Sequence, residues 1–295
     1  MSSIAYVNGR YMALSDAAVH VEDRGLQFGD SLYEVAAVLN GRLFDWEKHL
    51  VRLEAGARWL EFRQLPSSAA FSAIADQMVR RARLGDGLLY IQVTRGAARR
   101  DHPFPHGVRP TIVMTARRFD FARRIGQQAR GVAVISLADD RWRHCNIKTT
   151  NLLPAVRAKQ AAREAGAFEA IFLGENNVVR EGGSTNIYMV DAAGTIITHP
   201  LTSDILPGIM RDTALGLARA NGLTVEERPF TLDEARAAGE LFLSSTTAPC
   251  LPIVTLDGKP IADGRPGPVA TRLAGFLWAE VARQTGWIAP IDIAQ

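Results

Sequence analysis

The chain of 295 residues is poor in lysine, has two cysteines and contains no long apolar run. Cys145 and Cys250 cannot build a disulfide framework, which suits a reducing compartment. No apolar stretch approaches the roughly 20 residues that a membrane helix needs. The N-terminal Met1–Gly9 has no basic region followed by an apolar one, so no signal peptide is expected and the reading is cytoplasmic. No Gly-x-Gly-x-x-Gly follows a strand, and there is no Walker-type loop and no Gly-x-Ser-x-Gly elbow. His102 and His106 are four apart, but Pro103 and Pro105 forbid the helix that would make them a metal pair, and no metal is expected. The net charge of +3 is diluted along the chain. Its densest basic cluster, Arg117-Arg118 to Arg123-Arg124, contains two Phe and an Asp and reads as a solvated linker, not a nucleic-acid surface.

The shortage of lysine directs attention to one residue. The chain has 30 Arg and four Lys. Lys48 and Lys159 fall in helical patterns and Lys259 in a turn, Asp257-Gly258-Lys259-Pro260. Lys148 stands in Arg141–Pro154, read as the junction from a strand end to a helix that Asn151 would cap and Pro154 would open. Lysine, unlike arginine, can lose its proton when desolvated and act as a nucleophile. A lysine at such a junction in an arginine-dominated chain suggests amine chemistry, although most lysines are simply exposed.

A composition 47% hydrophobic and 22% charged is that of a globular protein with a sizeable core. The pattern is mixed α/β (α+β) in two domains, 1–117 and 128–295, joined by a linker at 118–127. Asn8-Gly9 and Asn40-Gly41 are hairpin signals. Residues 21–30 read as a polar loop and 31–39 as a strand. Trp46, Leu50, Leu53, Ala57 and Leu60 form one apolar helical stripe after a possible Asp45 cap, with Arg52 beside it. A second helix fits 67–84. Runs at 88–94 and 111–115 read as strands, with a Gly- and Pro-bearing loop from Arg95 to His106 between them. The second half alternates strands (132–137, 170–173, 184–190, 195–198, 224–228, 240–244, 253–256) with helices (151–165, 209–221, 232–238 and about 267–284).

Two stretches suit an anion. Leu206–Asp212 opens a helix whose N–H groups could hold a phosphate, and Ser244-Ser245-Thr246-Thr247 is a hydroxyl-rich turn. Arg52 would add charge. Glu181 ends a strand beside Gly182-Gly183, where a carboxylate could meet a ring nitrogen. Arg100-x-His102 places a fork and a ring donor on one loop, suited to a carboxylate. Each has an ordinary structural alternative: a strand-end Glu, a basic loop, a common helix start.

Taken together and in order, Glu22–Val35, Gln92–Gly96, Ile147–Leu153, Glu181–Asn186 and Leu206–Asp212 resemble the fold-type IV pyridoxal-phosphate enzymes over nearly the full length, and most closely the D-amino acid aminotransferases. The resemblance implies a two-domain fold with pyridoxal 5′-phosphate in an interdomain cleft and a homodimer that completes the site. It implies that Lys148 bonds to the cofactor aldehyde and shuttles the proton between substrate Cα and cofactor C4′. Glu181 would keep the pyridine nitrogen protonated. Arg52, the backbone at Ile209 and Met210, and Thr246 would bind the phosphate, and Leu206 would pack on the ring. Tyr33, Arg100 and His102 would trap the substrate α-carboxylate, with register selecting Arg100 over Arg99. The chain departs from the pattern at Gly183, where relatives often carry Ser, and at Met210, where they carry a hydroxyl, leaving only a backbone donor there. The implied reaction is transamination from a D-amino acid, D-alanine first, to 2-oxoglutarate. A branched-chain L-amino acid aminotransferase, an aminodeoxychorismate-type lyase and a cofactor-binding protein without turnover are the alternatives.

Overall fold

A computed structural model describes residues 4–289. Of these, 4–120, 147–151 and 284–287 form one compact unit, and 121–146, 152–283 and 288–289 another.

The first unit is built on an antiparallel sheet. Its elements are β1 (Ile4–Val7), β2 (Arg10–Ala13), α1 (Arg24–Phe28), β3 (Ser31–Leu39), β4 (Arg42–Leu43), α2 (Trp46–Trp59), α3 (Ser68–Arg81), β5 (Gly87–Thr94) and β6 (Thr111–Arg118). The strand order is β2-β1-β6-β5-β3-β4. Asn8 and Gly9 both take positive φ, 46° and 93°, the conformation that twists a two-residue hairpin turn to match its strands. Along β3, Leu32, Ala36 and Val38 join the core with the α2 stripe Trp46, Leu50, Leu53 and Ala57 and with Phe71 and Met78 of α3. Glu34 shares their face of the strand, because side chains alternate across a sheet.

The 147–151 segment belongs to this unit. Leu32 bridges Thr149, the Tyr33 N–H donates to the Lys148 carbonyl at 3.0 Å, and the Thr150 N–H donates to the Ser31 carbonyl at 3.3 Å. Lys148 therefore lies alongside β3, not at a strand end.

The second unit holds α4 (Phe121–Gln128), β7 (Val132–Ala138), α5 (Leu153–Glu164), β8 (Glu169–Leu173), β9 (Val179–Gly182), β10 (Asn186–Val190), β11 (Ile196–Thr198), α6 (Ile209–Ala220), β12 (Val225–Glu227), α7 (Leu232–Ala237), β13 (Glu240–Ser245), β14 (Ala248–Leu256), β15 (Lys259–Pro260) and α8 (Pro268–Thr285). Strands run β12-β11-β10-β13-β14-β7-β8-β9, with β15 on β14. β9 also pairs with β10, at Glu181↔Asn186, so six strands close on themselves as in a barrel. The parallel pairs β7–β8 and β11–β12 are joined through α5 and α6, the crossovers that parallel pairing requires.

Four local expectations change. The polar loop at 21–30 contains α1, because Asp23 accepts the Gly25 N–H at 2.8 Å and so starts a helical turn. The segment read as a linker holds α4, whose Phe121 and Ile125 are buried. Asn151 does not cap α5: its amide donates to the Thr149 hydroxyl, and Leu152 occupies the cap position without a side-chain bond. Asp45 stands at the cap of α2 in a left-handed conformation with no side-chain cap bond, and its carboxylate accepts from Gln284 instead.

Gly96, which opens the loop carrying Arg100 and His102, has φ +104°, and a Cβ there would lie 2.1 Å from the Arg109 carbonyl oxygen. Gly96→Ala is expected to cost about 2 kcal/mol or more, from combined strain and overlap, read as a lowered denaturation midpoint. An unchanged midpoint would show that this loop start is not constrained.

Candidate active site

In the first unit, the Lys148 ammonium lies 4.3 Å from the centroid of the Tyr33 ring. The Tyr33 ring in turn stacks on Tyr90 at 5.9 Å. Burial, with Tyr33 adding to it, pushes the Tyr90 hydroxyl up to about 12, so it stays a neutral donor, and it donates to Gln92 at 2.8 Å. Lys148 and Tyr33 are thus held together twice, by ring contact and by backbone pairing.

Arg52 lies on the same α2 turn as His49, and both meet Glu34. Arg52 donates Nε and Nη2 to the two carboxylate oxygens at 2.8 and 2.7 Å, and His49 Nδ1 lies 2.7 Å from Oε2. Glu34 is fully buried. Burial alone would raise its carboxyl, but the charge and hydrogen bonds of Arg52 and the His49 contact hold it down to about 2.

Arg100 and His102 meet over Phe28, the last residue of α1. The Arg100 guanidinium carbon is 5.1 Å from the Phe28 centroid, and the His102 ring is 5.5 Å from it. No hydrogen bond or ring contact among the described residues joins Tyr33 to this pair.

In the second unit, Glu181 is the centre. Its Oε1 accepts from Arg141 Nη1; its Oε2 accepts the Leu206 N–H at 3.0 Å and the Asn186 amide at 3.3 Å. Its side chain is 7% exposed. Arg141 also grips both oxygens of Asp139 at 2.9 Å, and Arg180 donates to the same carboxylate at 2.8 Å. Burial would lower the Arg141 guanidinium, but Asp139 and Glu181 outweigh it and drive it upward, so the cation is permanent. Asp139, whose burial alone would raise it, is pulled down by the two arginines.

Leu206 leads into Gly208, the cap residue of α6, which offers no side-chain bond to the N–H groups of that helix. Met210, the second residue of α6, is buried. Thr246 lies in the turn joining β13 to β14 and makes no hydrogen bond among the described residues, whereas the neighbouring Ser244 hydroxyl is taken by Tyr188 at 2.7 Å. Gly183 donates its N–H to the Ala170 carbonyl at 3.0 Å, so the backbone is tied there. Each unit by itself offers groups of a kind that suits a phosphorylated pyridine aldehyde: the first an amine beside a ring, the second a held carboxylate and a helix start whose cap residue makes no side-chain bond.

The family model described as amino-transferase class IV matches residues 31–256. The D-alanine aminotransferase of Bacillus licheniformis is 42% identical over 280 residues, covering 94% of this chain and 98% of that protein. That of Listeria innocua is 37% identical, covering 95% and 96%. Among solved structures, the branched-chain amino acid aminotransferase of Escherichia coli superimposes with a TM-score of 0.86 at 25% identity, over 97% of this chain and 96% of that one. The chain belongs to the class IV aminotransferases.

An aminotransferase of this class works with pyridoxal 5′-phosphate, and the chain is a mixed α/β enzyme of fold type IV. Two residues that contact predicted site residues were left without a role by the sequence pattern. Arg141 stood in the lysine stretch, and its spacing from Asp139 was the available signal; Glu34, one residue after Tyr33, was hidden as an alternating strand residue.

The depressed Glu34 carboxyl makes stability depend on pH. A folded value of about 2 against an ordinary 4.5 means a contribution of roughly 3 kcal/mol, fully present above pH ~4.5 and lost as pH falls through ~2. Glu34→Gln is expected to be less stable at pH 7 by about that amount, and the gap should close between those limits. Denaturation midpoints taken from pH 7 to 2 would test this; a gap that stays constant would exclude Glu34 as its source.

Proposed function

We propose that this aminotransferase takes the amino group of a D-amino acid, D-alanine first, and passes it to 2-oxoglutarate, releasing pyruvate and D-glutamate. The observation that carries this reading is the Arg100-x-His102 pair on one loop, in a chain 42% identical to a D-alanine aminotransferase over nearly its whole length. Arg100 has no side-chain hydrogen bond or ion pair among the described residues, so its planar fork is available to a carboxylate.

Bound pyridoxal phosphate supplies an aldehyde that takes up the amine and a protonated ring that draws off electrons from Cα. The remaining work falls to the chain. Lys148 Nζ would be the base that takes the proton from the substrate Cα and delivers it to cofactor C4′. The Tyr33 ring, 4.3 Å from Nζ, limits where that amine can go. Glu181, oriented by Arg141, Asn186 and the Leu206 N–H, holds a proton on the ring nitrogen. Arg52, the N–H groups of Ile209 and Met210, and the Thr246 hydroxyl hold the phosphate, and Leu206 packs on the ring. Arg100, His102 and Tyr33 hold the α-carboxylate, which decides the face of Cα presented to Lys148 and hence the hand of the product. The enzyme works as a cytoplasmic homodimer, the second protomer completing the site.

The test is an absorption spectrum of the holoenzyme before and after D-alanine, and separately L-leucine, with no acceptor present. Loss of the long-wavelength cofactor band with D-alanine alone is expected. Loss with L-leucine alone would assign the chain to the branched-chain enzymes, whose solved structures share its fold. A band unmoved by both, with pyruvate released in the absence of any acceptor, would favour the lyase.

Borohydride reduction followed by peptide mapping is expected to find the pyridoxyl group on Lys148, and Lys148→Ala should abolish both the label and transamination. A label on Lys48, Lys159 or Lys259 would displace Lys148 from this role.

A further inference from the structure

The loop that carries Arg100 and His102 is fastened along its length to residues 22–30. Asp23 bridges Ala97, the Arg24 N–H donates to the Gly96 carbonyl at 3.0 Å, and the Ala98 N–H donates to the Glu22 carbonyl at 3.3 Å. Beyond that paired stretch a single side chain takes over. Arg24, 3% exposed, donates Nη1 to the Asp101 carbonyl at 2.5 Å and Nη2 to the His102 carbonyl at 3.2 Å. Its Nε donates to Asp30 Oδ2 at 2.8 Å, and that oxygen also accepts from Arg95 Nε at 2.7 Å. Arg24 therefore ties the backbone on which His102 sits to the residue preceding β3, the strand that carries Tyr33.

Phe28 supplies the other half. Arg24 lies 4.6 Å from its ring centroid, Arg100 5.1 Å and His102 5.5 Å. A guanidinium on an aromatic face is attracted by the ring quadrupole while its N–H edge stays turned to solvent. The ring thus holds Arg100 without consuming its donors, whereas a carboxylate partner would have occupied them.

We propose that Arg24 and Phe28 are positioning residues for recognition of the substrate α-carboxylate: Arg24 sets the height of the His102 backbone, and Phe28 sets the spacing of the Arg100 fork from the His102 ring. Two donor groups meet one carboxylate well only at one separation, so these residues control carboxylate affinity without touching it. This inference rests on the reading of Arg100 and His102 as the carboxylate trap. Arg24 does work that lysine cannot, because an ammonium on a flexible stem cannot span two carbonyls and a carboxylate at once.

The test uses the holoenzyme and four variants, Arg100→Ala, Phe28→Leu, Phe28→Tyr and Arg24→Lys. It reads KM and kcat for D-alanine, the inhibition constant of propionate (a carboxylate without an amine) and the dissociation constant of the cofactor. Phe28→Leu keeps apolar bulk but removes the ring face, and is expected to raise KM and the propionate constant together by about five- to twenty-fold, with a smaller fall in kcat and unchanged cofactor affinity. Arg24→Lys should do the same, and Phe28→Tyr should restore both constants to within about threefold of the parent. If Arg100→Ala leaves KM and the propionate constant unchanged, the trap itself is misassigned. If Arg100→Ala raises them but Phe28→Leu and Arg24→Lys do not, or if those variants lose cofactor and kcat in proportion to KM, the positioning role is overturned.

Discussion

The backbone pairing between β3 and residues 148–150 is the constraint on which the position of Lys148 depends. The Tyr33 N–H reaches the Lys148 carbonyl, the Thr150 N–H reaches Ser31, and Thr149 bridges Leu32. Main-chain bonds of this kind fix an amine more closely than a loop could, because the side chain then departs from a defined Cα beside a defined ring. β3 is itself anchored, with Leu32, Ala36 and Val38 in the core and eight pairs to β5. A change in the α2–β3 packing would therefore move the lysine although it touches none of its atoms.

The abundance of arginine has a common structural expression. Three buried carboxylates, Glu34, Asp30 and Asp139, are each met by arginine nitrogens, and Glu181 by a fourth set. A carboxylate taken from water loses several kcal/mol of solvation unless it is paired and its lone pairs are filled. The planar fork of arginine fills two lone pairs with one side chain, as at Glu34 and Asp139. A lysine ammonium offers no such fork: where Lys159 meets the buried Glu169 carboxylate, it does so as a single point donor at 3.1 Å.

The same device serves different ends in the two units. In the first, Glu34 fixes a guanidinium, Arg52, that is proposed to meet a phosphate. In the second, Arg141 and Asp139 fix a carboxylate, Glu181, that is proposed to meet a ring nitrogen. Arg100 is held differently: it rests on an aromatic face, not on a carboxylate, which leaves its donors without a side-chain partner among the described residues.

The hairpins at Asn8-Gly9 and Asn40-Gly41, the α2 stripe and the alternation of strand and helix after residue 130 were legible in the sequence, since each depends on local turn chemistry or periodicity. So were the chemical types at Lys148, Glu181 and Arg100-x-His102, because a scarce lysine and a fork beside an imidazole stand out without any fold. The helix at Phe121–Gln128 was not legible, because Phe121 and Ile125 become apolar anchors only against the rest of its unit. Nor was the place of Lys148 beside Tyr33, the closure of six strands at Glu181 and Asn186, or the arginine forks behind Glu34 and Glu181. Those depend on residues tens of positions apart meeting at hydrogen-bond distance, and sequence alone states which groups can pair; only the packed chain decides which of them do.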